Sequence, residues 1–175
     1  QRQLNLTVVY VTHDQAEAMA LSDQIVVMEK GRVSQIGTPQ DLYDRPATRF
    51  TAGFVGSSNR RVTALMRQNG HASITWGNAH LPVHAPADTP AGVPVLAMWR
   101  PEAALLVDPL DPDPGTLRGE IELVTFLGPV TRLDVRVDGD NEPVLVDVVS
   151  DAARDLAMGQ PVNIAVPPGA IRLYA

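Results

Sequence analysis

His13 is the residue with the most chemistry behind it. It follows the apolar run Val8-Val9-Tyr10-Val11 and Thr12, and it precedes Asp14, Gln15 and the helix formers of AEAMAL. An imidazole titrates near neutrality in its ordinary state, so it can move a proton or hold a phosphate oxygen. Taken alone, a histidine at a strand end more often has a structural role, and the string around it has to decide. The other histidines make a weaker case. His80 and His84 flank Pro82 in a predicted strand and loop, where residues four apart stand about 13 Å apart. No metal site is expected from them or from His71. Asp108, Asp111 and Asp113 alternate with prolines and lack the order of a calcium loop, so a solvated acidic loop is expected. Arg100 and Glu102, on either side of Pro101, are expected to form an ion pair that fixes a turn rather than a contact with a partner or regulatory ligand.

The elements that must position His13 follow from periodicity. Four β-branched and aromatic residues without polar alternation, Val8 to Val11, predict a strand buried on both faces, as in a parallel sheet. Ligands of open α/β sheets bind beyond the carboxyl ends of such strands, which is where His13 stands. Thr12 and Gln15 have capping-box spacing, so a helix is expected to start near Asp14. Ile25 to Met28 predicts a second strand, turning at Lys30-Gly31 into a return strand over Arg32 to Ile36. Thr38 as N-cap, Pro39 at the first helical position and Asp41 in the first turn predict a short helix. Ala47 to Val55 predicts another, with Phe50 and Phe54 on one face and Gly56 ending it. Ser57-Ser58-Asn59 reads as a linker.

From about Ser58 the pattern changes to short apolar runs separated by turn signals, that of an all-β module. Strands are expected over 62–67, 72–76, 80–83, 95–99, 103–107, 117–126, 130–137, 144–149, 162–166 and 171–174. Asn69-Gly70, Gly77-Asn78 and Asp138-Gly139 are the turns. Leu117, Ile121 and Leu123 are expected on one face, as are Leu133, Val135 and Val137. Leu127-Gly128-Pro129 predicts a bulge or corner. Ser150 to Met158 predicts a helix, and Asp108 to Gly115 a turn-rich linker.

Composition narrows the function classes. The 175 residues carry a net charge of −6, most of it after residue 57, and aromatic residues make up 5%. Nucleic-acid binding by stacking in a basic groove is therefore not expected. Cysteine is absent, which removes disulfides and thiolate metal sites. Nothing is long and apolar enough to predict a membrane-spanning helix, and no secretory leader is legible. The chain opens on Gln1 and is expected to be a piece of a longer protein.

The string VTHDQAEAMALSDQIVVMEKGRVSQIGTPQDLYDRP resembles the last part of the ATPase domain of ABC importers, in the sugar, polyamine, iron and phosphonate branch. FVGSSN, WRPEAALLV, a strand ending in FLG, and GQPVNIAVPPGAIRLY resemble the OB-type accessory (TOBE) domain that follows it. Met98-Trp99 departs from that family, which more often has a glycine and an aliphatic residue there. The resemblance implies an α/β remnant of the ABC ATPase domain over 1–57, followed by an all-β OB-like barrel over 58–175 that regulates and dimerises.

It also implies that His13 is the switch histidine, contacting the γ-phosphate of ATP and the attacking water. ATP and Mg²⁺ would be cofactors of the full-length parent. The phosphate loop, the metal-holding aspartate, the catalytic carboxylate and the L-S-G-G-Q signature are missing from this sequence. The chain alone is therefore expected to be inactive, to bind no cofactor and to hold no metal. Implied partners are a second copy and transmembrane permease subunits, with no nucleic acid. The implied location is the cytoplasmic face of the membrane, through the permease. A small-ligand sensor for oxyanions is the alternative reading of the barrel region. The transported substrate is not legible.

Overall fold

The computed structural model describes residues 6–107 and 115–174. The chain divides into two compact units, 1–56 and 57–175. In the first, helix α1 (Gln15–Leu21) leads to a hairpin of β1 (Ile25–Glu29) and β2 (Arg32–Gly37), then to two short helices, α2 (Pro39–Asp44) and α3 (Arg49–Phe54). Lys30 and Gly31 both take positive φ in the two-residue hairpin turn, the backbone that matches the right-handed twist of the strands. Thr38 and Asp41 form a reciprocal capping box on α2, with Pro39 in the first turn. Thr48 caps α3 by accepting from the Thr51 N–H, so that helix starts two residues later than composition predicted.

Val27, Leu42 and Val55 form the buried cluster of this unit, with Met19, Ile25, Tyr43 and Phe50 packed against it. Phe50 and Phe54 stack with ring centroids 5.4 Å apart. The run Val8 to Val11 is not a buried strand. It joins no ladder among the described residues, and Val9 and Val11 are 89% and 90% exposed. A strand needs a neighbour for its backbone N–H and C=O groups, and no described element offers one to this run.

The second unit is built of two five-stranded antiparallel sheets around one core. One runs in the order β12 (Arg172–Tyr174), β6 (Pro94–Trp99), β3 (Asn59–Gln68), β4 (His71–Trp76), β5 (Ala79–Val83). The other runs β10 (Val144–Val149), β9 (Val130–Val137), β8 (Thr116–Phe126), β11 (Pro161–Ala165), β7 (Leu105–Val107). Leu65, Ile74, Leu81 and Trp99 meet Leu117, Ile121, Leu133, Val135 and Ile164 in a single cluster. Each such side chain contributes about 1.5–3 kcal/mol by leaving water. Trp99, where the sequence departs from the family it resembles, is matched by Trp76. Their rings lie 3.9 Å apart at 52°.

Several local expectations change. A bulge falls between Ile121 and Leu123. It reverses the alternation, so Leu123 is exposed while Val124 packs on the core. Leu127-Gly128-Pro129, expected as a bulge or corner, makes the corner: it turns β8 into β9, with Gly128 at φ +93. Ser150 to Met158 forms only a 3-10 turn over Ser150–Ala153, because the Ser150 hydroxyl turns back to donate to the Gly128 carbonyl at 2.7 Å. Residues 103–107 split into the end of a 3-10 turn, Pro101–Ala103, and β7. The acidic loop with Asp108, Asp111 and Asp113 lies outside the described residues. At Gly119 a Cβ would fall 2.4 Å from the Arg136 carbonyl oxygen, so only glycine lets β8 approach β9 there.

Candidate functional site

His13 sits on a corner braced from both sides. Asp14 is the N-cap of α1, its carboxylate accepting from the Glu17 N–H at 3.0 Å. The cap is thus Asp14, not Thr12. Thr12 braces the corner instead. Its Oγ1 accepts from the Asp14 N–H at 2.9 Å and donates to Glu17 Oε2 at 3.2 Å. Tyr10 donates to the same carboxylate oxygen at 3.0 Å, and that bond to Glu17 raises the phenol above its ordinary pKa. Gln15 Oε1 accepts from the Gly56 N–H at 3.0 Å, tying the start of α1 to the end of the unit. His13 itself is exposed. Thr12 and Asp14 on either side spend polar groups on the start of α1 and on Glu17, while His13 stays exposed to solvent.

The segment expected to be a linker is instead a fixed edge of the second unit. Asn59 is buried. Its amide Nδ2 donates to the Leu145 carbonyl and its Oδ1 accepts from the Leu145 N–H, both at 2.8 Å. One side chain thereby satisfies the donor and acceptor of a strand residue, as a neighbouring strand would. Arg132 forks onto Asp147 at 2.7 and 2.8 Å and reaches Ser57 Oγ at 3.0 Å. Asp147 raises the guanidinium above its ordinary value, offsetting its partial burial. Arg100 donates to the Ser57 carbonyl at 3.1 Å and to Ser58 Oγ at 2.7 Å. The guanidinium placed by sequence in a turn thus also holds the chain entering β3.

With this geometry in view, comparison with known proteins is direct. Residues 97–173 match the TOBE domain family. The chain is 39% identical over 99% of its length to the spermidine/putrescine import ATP-binding protein PotA of Pseudomonas fluorescens, covering 48% of that protein. It is 40% identical over 90% of its length to PotA of Thermobifida fusca, covering 41%. A sulfate/thiosulfate import ATP-binding protein of Shewanella oneidensis is 36% identical over 95% of the chain, with 45% of that protein covered. The chain is a homologue of ABC-importer ATP-binding subunits and carries a TOBE domain.

It spans about half the length of the curated relatives it matches. The cytoplasmic molybdate-binding protein ModG superposes with a TM-score of 0.53 at 16% identity, over 67% of this chain and 94% of that one. That likeness concerns the fold, the paired β-sheets of the TOBE-containing unit. Among the described residues, no helix is long and apolar enough to cross a membrane.

Within the TOBE-containing unit, His80 faces Thr75 across β4 and β5, with His80 Nδ1 3.4 Å from Thr75 Oγ1. His71 and His84 lie at the other end of the same strand pair and line one groove there. Among the described residues, no three His, Asp or Glu side chains converge as metal ligands. Sequence reasoning missed the Asn59 and Arg132 clamps. The polar triplet Ser57-Ser58-Asn59 was the available signal, and its partners lie up to 86 residues away.

Proposed function

We propose that the chain is the C-terminal part of the ATP-hydrolysing, energy-coupling subunit of an ABC import system. On this reading residues 1–57 are the end of its ATPase domain and 58–175 its regulatory and dimerising domain. The observation that carries the reading is the match over nearly the whole chain to polyamine and sulfate import ATP-binding proteins, with the T-H-D-Q-x-E-A string in place. ATP and Mg²⁺ are then ligands of the longer protein, whose phosphate loop would hold the nucleotide while His13 acts as the switch histidine. The exposed His13 on its braced corner supports that role: a group meant for a γ-phosphate must be held in place and left accessible. A second copy and permease subunits are the partners, at the cytoplasmic face of the membrane.

His13→Ala tests the reading in the full-length protein. A contact made mainly in the transition state affects kcat far more than nucleotide affinity. ATP binding is expected to stay within about threefold of wild type while kcat falls by about a hundredfold or more. Wild-type turnover in that variant would make His13 structural and remove the proposal's catalytic half.

A further inference from the structure

A groove of about 530 Å³ opens at the end of the β4–β5 pair, and it belongs to none of the roles above. The register sets Ala72 opposite Val83. His71 precedes Ala72 and His84 follows Val83, so the two histidines flank the end of this pairing. Ile74, Trp76, Leu81 and Val83 take the buried face of these strands, so alternation turns both histidines outward, and both line the groove. Arg67 reaches it from β3. Its Nε donates to the Thr89 carbonyl at 3.0 Å and its Nη2 to the Pro86 carbonyl. Those two bonds hold the guanidinium in place and use two of its five N–H groups.

Among the described residues no carboxylate lines the groove, and Arg67 pairs with none. In a chain of net charge −6 this is a local concentration of donors and positive charge. A cation would be repelled by Arg67. An anion finds a fixed guanidinium and two imidazole donors. The remaining wall is apolar, built by Pro82, Val83, Ala85, Pro86 and Pro168, and the groove has the volume of a small-molecule site.

We propose that this groove binds an organic anion, of the phosphate-ester class, with the anionic group on Arg67, His71 and His84 and its apolar body against the prolines. The assignment goes beyond the ATPase reading and does not depend on it, because the site lies wholly within the TOBE-containing unit.

Calorimetric titration of the 175-residue chain with phenyl phosphate and with inorganic phosphate tests it. Phenyl phosphate is expected to bind at least fivefold more tightly than inorganic phosphate. Arg67→Gln is expected to weaken it about tenfold or more, as befits a charge-assisted donor. Because Arg67 also holds the loop at 86–89, His84→Gln is the companion variant. It should weaken binding severalfold with the thermal midpoint unchanged. Absence of binding by phenyl phosphate at millimolar concentration overturns the proposal, and so does binding indifferent to both substitutions. Equal affinity for the two phosphates removes the apolar wall from the site and overturns the organic-anion assignment. Failure of the His13 prediction touches none of these outcomes.

Discussion

The two units of this chain solve the burial problem to different degrees. The second closes two antiparallel sheets on a continuous core, in which Leu65, Ile74, Leu117, Leu133 and Ile164 lose all contact with water. Among its described residues the first has a far smaller cluster, Val27, Leu42 and Val55. It leaves Val26, Met28, Val33 and Ile36 more than half exposed on one face of its hairpin, where Val26 pairs with Ile36 and Met28 with Val33. A two-stranded hairpin with short helices has little apolar area to set against the entropy of ordering it. The contrast teaches that the helix caps and the Gln15–Gly56 tie matter more to the first unit than comparable bonds do to the second.

The largest effects should therefore come from core truncations, and they should be unequal. Trp99→Ala removes a buried ring of the second unit's core that packs at a tilt against Trp76, and is expected to cost about 3–5 kcal/mol. Leu42→Ala in the first unit cannot cost more than that unit's own stability, so its measured loss is expected to be smaller. Denaturant unfolding followed by tryptophan fluorescence reports on the second unit, which holds both tryptophans. Backbone amide exchange over β1 and β2 reports on the first. If Leu42→Ala costs as much as Trp99→Ala, the two units are not unequal in the way the burial implies.

A middle-sized effect separates two kinds of ion pair within the second unit. Asp147 is 12% exposed and takes a fork from Arg132, whereas Asp151 and Arg154 are 83% and 75% exposed. Asp147→Ala strands a guanidinium that is still one-quarter exposed, so the cost of a buried unpaired charge must be discounted to about 2–3 kcal/mol. Asp151→Ala is expected to change stability by less than about 0.5 kcal/mol. Equal losses in thermal denaturation would mean that the clamp on Ser57 contributes nothing beyond a surface pair.

The sequence was most readable where structure is local. The Thr38-Pro39-x-Asp41 cap, the Lys30-Gly31 turn and the alternation of Leu133, Val135 and Val137 all depend on neighbours a few residues away, and all appear in the fold. Readings failed where the deciding partner is remote or an extra residue intervenes. Val8 to Val11 has the composition of a buried strand but no ladder partner. Leu123 is displaced from the core by a bulge that no turn residue announces. Ser150 carries a cap-like hydroxyl that bonds to Gly128 across a hairpin instead. The His13 corner was half legible: Thr12 and Asp14 were both visible, but which of them caps depends on backbone geometry that composition does not specify. The groove was illegible, because Arg67, His71 and His84 are brought to one place only by the pairing of β3, β4 and β5.

The smallest expected effect concerns the capping box of the first unit and is read through pH. The Thr38 hydroxyl donates to Asp41 Oδ2 at 2.7 Å, the Thr38 N–H at 3.3 Å, and Arg45 Nη2 to Asp41 Oδ1 at 2.9 Å. These bonds, Thr38 foremost, hold the Asp41 carboxyl below its ordinary range in the folded state. A group with a depressed folded pKa binds its proton more readily when unfolded. Its stabilisation is therefore complete above the unfolded value, near pH 4, and is lost as pH falls through the folded value. Asp41 is exposed, so solvent screens the effect, and it should show as a modest acid-side fall in the protection of α2 amides rather than as global unfolding. Asp41→Asn keeps an acceptor oxygen for the Thr38 donors and removes the titrating group. The variant should start with weaker protection at pH 6 and lose less of it between pH 5 and pH 3. If wild type and Asp41→Asn show the same acid slope over α2, the box is neutral to charge.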